Sequence, residues 1–308
     1  MTAAAPSYMG FVGVTTASSS IMAVFPEWAR VLGLPTRTLV GHDVAIDSPR
    51  DAYRQVITSI KTDPQHHGAL VTTHKMAVFD AARDLFDDID ELGQTFGEIS
   101  SVAKRGTRLI GAAKDPVTAR LALEEFLPTD HFAATGGAAL VLGSGGSGCA
   151  LSHQLGRRED PPAVIICTAL SPGPLNHQRE LHQRAGIDPD RMRYVVTTGP
   201  DDVDALLGEL PPSSLVANAT GMGKDRPGSP ISDLGRFPEG GVVWEFNYRG
   251  SLDFLRQARA QQGQRRLIVE DGWRYFIHGW TQVIADVFEL AMPPETVARL
   301  SQVAASVR

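Results

Sequence analysis

A short apolar run, Ala138 to Leu142, breaks into Gly143-Ser144-Gly145-Gly146-Ser147-Gly148, after which Cys149 to Leu155 carries apolar residues in a helical pattern. Few features restrict a fold so tightly. Glycine at 143, 145 and 148 gives GxGxxG spacing. The first glycine permits the tight turn, the second lets the backbone approach a pyrophosphate, and the third lets helix pack on strand. The free N–H groups that open the helix then face the phosphates. This points to a doubly wound parallel sheet that holds NAD or NADP.

The rest of the second half has the same character. Ala163 to Cys167, Tyr194 to Thr197, Leu215 to Ala219 and Val242 to Phe246 are strand-like runs of buried type, each followed by a polar or helical segment. The first half alternates likewise. Met9 to Val14 and Gly68 to Thr72 have strand character, and Ala23 to Leu34 and Ala77 to Leu92 carry apolar residues at helical spacing. Largely parallel sheets are therefore expected. Pro116 suits a first helical position, and the run to Leu127 is expected to be a helix leaving the first lobe. Pro128 to Asp130 and Ala134 to Gly137 form a breaker-rich hinge. Asp271 to Met292 has the pattern of a long helix. The predicted organisation is α/β with two lobes: an N-terminal substrate-binding domain over 1–130, completed by 271–308, and a Rossmann-type nucleotide domain over 131–270.

A chain of 308 residues with 43% hydrophobic and 21% charged residues suits two globular lobes. The formal net charge of -6 leaves no basic surplus for a phosphate backbone, so nucleic acid is not an expected partner. Cys149 and Cys167 have no CxxC or Cys/His spacing and are expected as reduced core residues. Met1 to Gly10 lacks a basic leader with an apolar core, and no uncharged apolar run approaches the roughly 20 residues that span a bilayer. A cytoplasmic monomer or homodimer without membrane contact is expected. His66 and His67 are adjacent, so their side chains diverge; they are expected at the surface and no metal site is assigned.

The choice between NAD and NADP rests on the end of the second nucleotide strand. Ile165-Ile166-Cys167-Thr168-Ala169 supplies no Asp or Glu for a ribose 2′-hydroxyl, which favours NADP. Thr168, Ser171, Arg157, Arg158 and Arg179 are the candidates for a 2′-phosphate.

In the first half, Val71-Thr72-Thr73-His74-Lys75 and Leu109-Ile110-Gly111-Ala112-Ala113-Lys114-Asp115 place ionisable residues just after apolar strands. A lysine and an aspartate held together can share a proton and orient a substrate hydroxyl, as hydride transfer at a carbinol carbon requires. The order of segments along the chain resembles the shikimate dehydrogenase family. The matching segments are Thr15 to Ser20, Val71 to Lys75, the GAVNT-like Gly97-Glu98-Ile99-Ser100-Ser101-Val102, Gly111 to Asp115, Gly143 to Gly148, Asn218-Ala219-Thr220-Gly221-Met222-Gly223, Glu245-Phe246-Asn247-Tyr248 and Asp271 to Gly279.

That resemblance implies a Lys75 and Asp115 dyad that deprotonates a ring hydroxyl as the nicotinamide takes the hydride. It implies ring contacts from Thr72 and Tyr248, a carboxylate site among Ser18, Ser19 and Ser20, and Asn218, Ala219, Thr220 and Met222 on the cofactor side. It also implies that the last helix returns to the first lobe. The chain departs from the pattern at the substrate contacts. Ser100 and Ala113 replace asparagines, Gly279 replaces a glutamine, and His74 precedes the lysine where an aromatic residue is common; Ser100, and Gln282 one turn beyond Gly279, are expected among the substrate contacts. Losing such partners leaves buried hydroxyls unpaired at about 1–3 kcal/mol each. The expected substrate is therefore a cyclic polyol or keto compound other than shikimate. An authentic shikimate or quinate dehydrogenase is the alternative within the class, and a non-catalytic NAD(P)-binding regulator the alternative outside it.

Overall fold

The computed structural model describes residues 6–224 and 226–306. The leader reading over Met1 to Gly10 lies outside them for residues 1–5. Two compact units divide the chain, one formed by the residues up to Asp115 and those from Ile277 onward, the other by Pro116–Phe276.

The first unit holds β1 (Tyr8–Gly13), β2 (Leu39–Asp43), β3 (His66–Val71), β4 (Asp88–Ile89), β5 (Ser101–Arg105) and β6 (Arg108–Ala112) in the order β2-β1-β3-β5-β6-β4. This sheet is mixed rather than largely parallel, because β5 runs antiparallel to both β3 and β6. The reversal between β5 and β6 comes from the two-residue Gly106-Thr107 turn, where Gly106 takes a φ of 63° that a residue without a Cβ adopts freely. The helix expected over Ala77 to Leu92 is divided. A helix over Lys75–Ala82 gives way to a 3-10 turn, then β4, then a helix over Glu91–Phe96. The last of these is restarted by Asp90, whose carboxylate accepts the Gly93 N–H at 2.7 Å.

The helix Ile21–Leu32 buries Ile21, Val24, Phe25 and Trp28. The Trp28 indole N–H donates to the Leu300 carbonyl at 2.8 Å, tying it to the helix Pro294–Ala305. The long helix expected at Asp271 to Met292 runs from Trp273 to Phe288, and Trp280 sets its ring edge-on to Phe11, 5.0 Å between centroids.

One expectation fails at β3. His66 is 2% exposed, not a surface residue. Alternation along a strand sends one of two neighbouring side chains inward, and here it is His66. Its Nδ1 accepts the Gly68 N–H at 3.1 Å, so Nε2 carries the proton toward His42 Nε2 at 3.3 Å. Burial pushes its pKa down to about 3, leaving a neutral ring.

The second unit holds β7 (Ala139–Leu142), β8 (Ile165–Ala169), β9 (Met192–Val196), β10 (Leu215–Asn218), β11 (Val242–Glu245) and β12 (Ile268–Glu270), all parallel, in the order β12-β11-β10-β7-β8-β9. The order reverses between β7 and β10, the switch point of a Rossmann sheet. Strand β12 is not among the expected strands: it has three residues, and Ile268 is 45% exposed. Alternate residues of β7 feed opposite cores. Ala139 and Val141 join Leu151, Leu155 and Trp244, while Leu140 and Leu142 join Leu206, Phe237 and Phe254.

The division between units falls at Asp115/Pro116 and Phe276/Ile277, not at 130/131 and 270/271. Ala122, Leu123, Leu127 and Phe132 explain this, since all are buried in the core of the second unit. The helix expected to leave the first lobe thus packs in the second. Cys149 and Cys167 are buried and free. Among the described residues no helix is long and apolar enough to cross a membrane.

Candidate active site

Strand register brings the first unit's candidates to one sheet edge. Val12 pairs with Val71, Leu70 with Ser101, and Ser101 with Ala112. The segments that leave these positions therefore emerge side by side: 14–20, 72–75, 97–100 and 113–115. Backbone bonds fix them: Thr72 N–H to the Val12 carbonyl at 3.0 Å, Ser100 N–H to Ala112 at 3.0 Å, and Ile99 N–H to Lys75 at 3.1 Å.

There the Lys75 ammonium donates to Asp115 Oδ2 in an ion pair whose side chains are 16% and 8% exposed. Lys75 opens one helix and Asp115 another, so the carboxylate also meets the positive end of a helix dipole. Burial works against the Lys75 charge, but the Asp115 and Glu98 carboxylates and the hydrogen bond outweigh it, and the ammonium titrates above the ordinary lysine value. A buried, mutually aligned acid and base can pass a proton to or from a hydroxyl.

The neighbours divide into committed and available groups. Ser100 is committed: its Oγ accepts the Lys114 N–H at 2.6 Å and donates to the Ala112 carbonyl at 3.4 Å. Ala113 is buried and offers no polar group. His74 is also committed, its Nε2 donating to the Val44 carbonyl at 2.7 Å. The serine turn is held from beneath, since Thr16 donates its N–H and its hydroxyl to Asp43 Oδ1 at 2.8 and 2.6 Å. Ser18 bonds back to the Thr15 carbonyl at 3.1 Å, Ser19 is buried and Ser20 is half-buried ahead of its helix. Gln282, half-buried, lies one helical turn before Asp286, which accepts the Ser101 hydroxyl at 2.6 Å. The same helix face therefore presents both toward the β5 end.

Sequence reasoning misses one ionisable group here. Glu98 is 1% exposed and its Oε1 has no hydrogen-bond partner. Its segment, Gly97-Glu98-Ile99-Ser100-Ser101, carries a signal: a lone carboxylate followed by apolar and small residues.

In the second unit the glycines do what their spacing requires. Gly143 takes a φ of 98°, and a Cβ there would stand 2.8 Å from the Ala219 carbonyl oxygen. A Cβ on Gly148 would meet the Gly143 oxygen at 1.9 Å. At Gly145 the space is open, with nothing within 4 Å. Gly145 is the N-cap of the helix Gly146–Arg157, so the turn leaves exposed backbone N–H groups and room for a pyrophosphate, and fits a dinucleotide. Gly146 and Ser147 form the helix's first turn.

The surrounding polar side chains shape this turn from within. The single Ser144 hydroxyl proton is placed between two acceptors, the Thr168 carbonyl at 3.0 Å and Gln178 Oε1 at 2.7 Å. Asn218 Oδ1 accepts the Thr220 N–H and hydroxyl at 3.1 and 2.6 Å, and its amide donates to Glu245 Oε2 at 2.7 Å. Thr220 Oγ1 in turn accepts the Met222 N–H at 3.1 Å. Burial pushes the Glu245 carboxyl up to about 7, against the pull of its bonds from Asn247 and Asn218. Tyr248 packs its ring against Phe276 and Trp273, at 4.7 and 5.6 Å between centroids.

Three of the candidate phosphate partners stand elsewhere. Arg157 donates to Ala185 and Arg158 to Pro128, both from the far end of the helix that the glycine turn opens. Arg179 lies over the Tyr194 ring at 4.6 Å. Helix direction decides this for the first two: residues three turns along a helix cannot return to its start. Thr168 and Ser171 remain at the β8 end, and no carboxylate stands with them over Thr168–Ser171.

No family model matches the chain. It is 28% identical over 242 residues to the NADP(+) shikimate dehydrogenase of Symbiobacterium thermophilum, covering 76% of this chain and 74% of that protein. The chain is shikimate dehydrogenase-like. Its fold matches shikimate 5-dehydrogenase from Thermus thermophilus, solved with NADP(H) and shikimate, at a TM-score of 0.71 and 22% identity over 98% of this chain and 100% of that one. Quinate dehydrogenase from Corynebacterium glutamicum, solved with NAD, gives 0.74 and 18% over 98% and 99%. The ligand-free 5-ketofructose reductase of Gluconobacter sp. strain CHM43 gives 0.69 and 18% over 99% and 100%. This shikimate dehydrogenase-like chain thus shares its architecture with dehydrogenases and a reductase of differently named substrates.

Proposed function

We propose that the chain is an NAD(P)-dependent oxidoreductase that interconverts a ring hydroxyl and a ketone on a shikimate-like cyclitol. The buried Lys75–Asp115 pair carries the reading. In the oxidative direction Asp115 orients the substrate hydroxyl and the pair accepts its proton as the carbon loses hydride; in reduction Lys75 returns the proton to the carbonyl oxygen. A nicotinamide dinucleotide, held by the backbone of Gly143 to Gly148, would supply or accept the hydride. Thr72, Ser19 and Gln282 are the substrate contacts of this reading. NADP is preferred to NAD because no carboxylate follows β8 to claim a 2′-hydroxyl.

The substrate differs from shikimate in its polar pattern. The two asparagine positions of the resembled family hold Ser100, whose hydroxyl is spent within the hairpin, and Ala113. A substrate that relied on both amides would leave its hydroxyls unpaired here. The test is steady-state turnover with NADPH, NADP, NADH and NAD against shikimate, quinate and their aminated, dehydroxylated and decarboxylated analogues. Turnover of an analogue at higher kcat/KM than shikimate is expected. High turnover of shikimate itself would make this an ordinary shikimate dehydrogenase, and no turnover of any cyclic alcohol or ketone would remove the reading.

A further inference from the structure

Two carboxyl groups, Asp115 and Glu98, act on Lys75 at the sheet edge of the first unit, a third, Asp90, acts on Glu98, and the three differ in how they are held. Asp115 holds the Lys75 ammonium. Asp90 accepts the Gly93 and Ala113 N–H groups at 2.7 and 3.1 Å and feels Lys114 and Asp286 beyond it. Glu98 is 1% exposed, its Oε1 has no hydrogen-bond partner, and it follows the turn that Gly97 makes at the end of the Glu91–Phe96 helix. The next residue, Ile99, is bonded through its N–H to the Lys75 carbonyl, so the backbones of Glu98 and Lys75 move together. The GAVNT-like pattern has alanine where this chain places Glu98, so the carboxyl is an addition to that pattern.

We infer that Glu98 is a positioning residue for Lys75: a buried carboxyl whose charge state sets how exclusively the lysine pairs with Asp115. A protonated Glu98 leaves the ammonium with one anionic partner, Asp115. An ionised Glu98 is a second anion for the same ammonium, and it competes with Asp115. The charged groups facing Glu98 are Asp115, Lys75 and Asp90. Burial and the two aspartates push it up to about 8, against the pull of Lys75, so it changes charge in a range where an enzyme works.

The role of the pair in turnover rests on the function proposed above; the coupling of Glu98 to Lys75 does not. The experiment therefore has two arms, both on the full chain, with Glu98→Gln and, should that variant fold poorly, Glu98→Met. In the first, acylation of Lys75 by acetic anhydride is followed by mass spectrometry across pH. Loss of an anion frees the amine, so the midpoint should fall by roughly 0.5–1 pH unit in the variant; an unmoved midpoint overturns the inference. In the second, kcat and KM for ketone reduction are measured across pH. Wild type should lose kcat as Glu98 ionises near pH 8, and the variant should shift or lose that limb while KM keeps its profile. An identical kcat limb in the variant overturns the inference. A wild-type protein without turnover on any ring substrate defeats the proposed function and leaves the first arm to decide on Glu98.

Discussion

The two sheets make their sites by opposite means. At the edge of the mixed sheet the candidate site is built of side chains: Lys75 and Asp115 are buried, charged and paired, with Glu98 beside them. At the switch point of the parallel sheet the candidate site is built of missing side chains, because Gly143, Gly145 and Gly148 bare the backbone. The first kind of site is sensitive to charge and pH. The second is sensitive to volume, and its polar side chains serve to hold loops. The contrast predicts which substitutions damage chemistry, which damage cofactor binding and which damage only stability.

The largest effect should come from the charged edge. Lys75→Ala and Asp115→Ala should each lower kcat by about 10²–10⁴-fold, with NADPH affinity, read by fluorescence titration, unchanged within about twofold. A matching loss of cofactor affinity would break the separation of roles. Next comes the glycine turn. Gly145→Val has room in the fold but would fill the space a pyrophosphate needs, so NADPH should bind about 10–100-fold more weakly while the melting temperature holds. Gly148→Val, which meets the Gly143 oxygen, should instead unfold the second unit at lower temperature.

Glu245 sharpens the comparison, because it puts a titrating group beneath the second site. Its folded carboxyl ionises near 7, against an ordinary value of 4.5. The unfolded chain gives up that proton first, so stability is fully present below about pH 4.5 and is lost as pH rises to about 7. The loss is on the order of 2–3 kcal/mol. Glu245→Gln should flatten the fall of melting temperature between pH 5 and 8; an unchanged slope would remove this group from the account. The smallest effect is expected at Thr16. Thr16→Val deletes its hydroxyl's bond to Asp43, which should cost about 1–2 kcal/mol in denaturant unfolding and raise KM through the serine turn.

Legibility in the sequence followed the same contrast. The glycine turn could be found because its demands are local: fixed spacing between an apolar strand and a helix. Lys75 and Asp115 stand 40 residues apart, and only the order of the surrounding segments joined them before the strands β3, β5 and β6 did. Strand β5 is hard to see because Lys104 and Arg105 break its apolar run, and its antiparallel pairing with β6 depends on one glycine turn. Glu98 is easily passed over despite its lone carboxylate among apolar and small residues, because glutamate is rarely buried without a partner, and His66 because two adjacent histidines suggest exposure. Arg157 and Arg158 mislead for a geometric reason: closeness in sequence to the turn is distance along a helix axis.

The Trp28 bond to Leu300 spans 272 residues, and it orders events during synthesis. A ribosome delivers all of the parallel-sheet unit before it releases the segment that Trp28 needs. The nucleotide-type unit can close its cores while the other still lacks the helices beyond Ile277. Late in translation the first unit is thus the one still short of its last helices. A stalled chain should yield a protease-resistant fragment from the middle of the sequence rather than from its beginning.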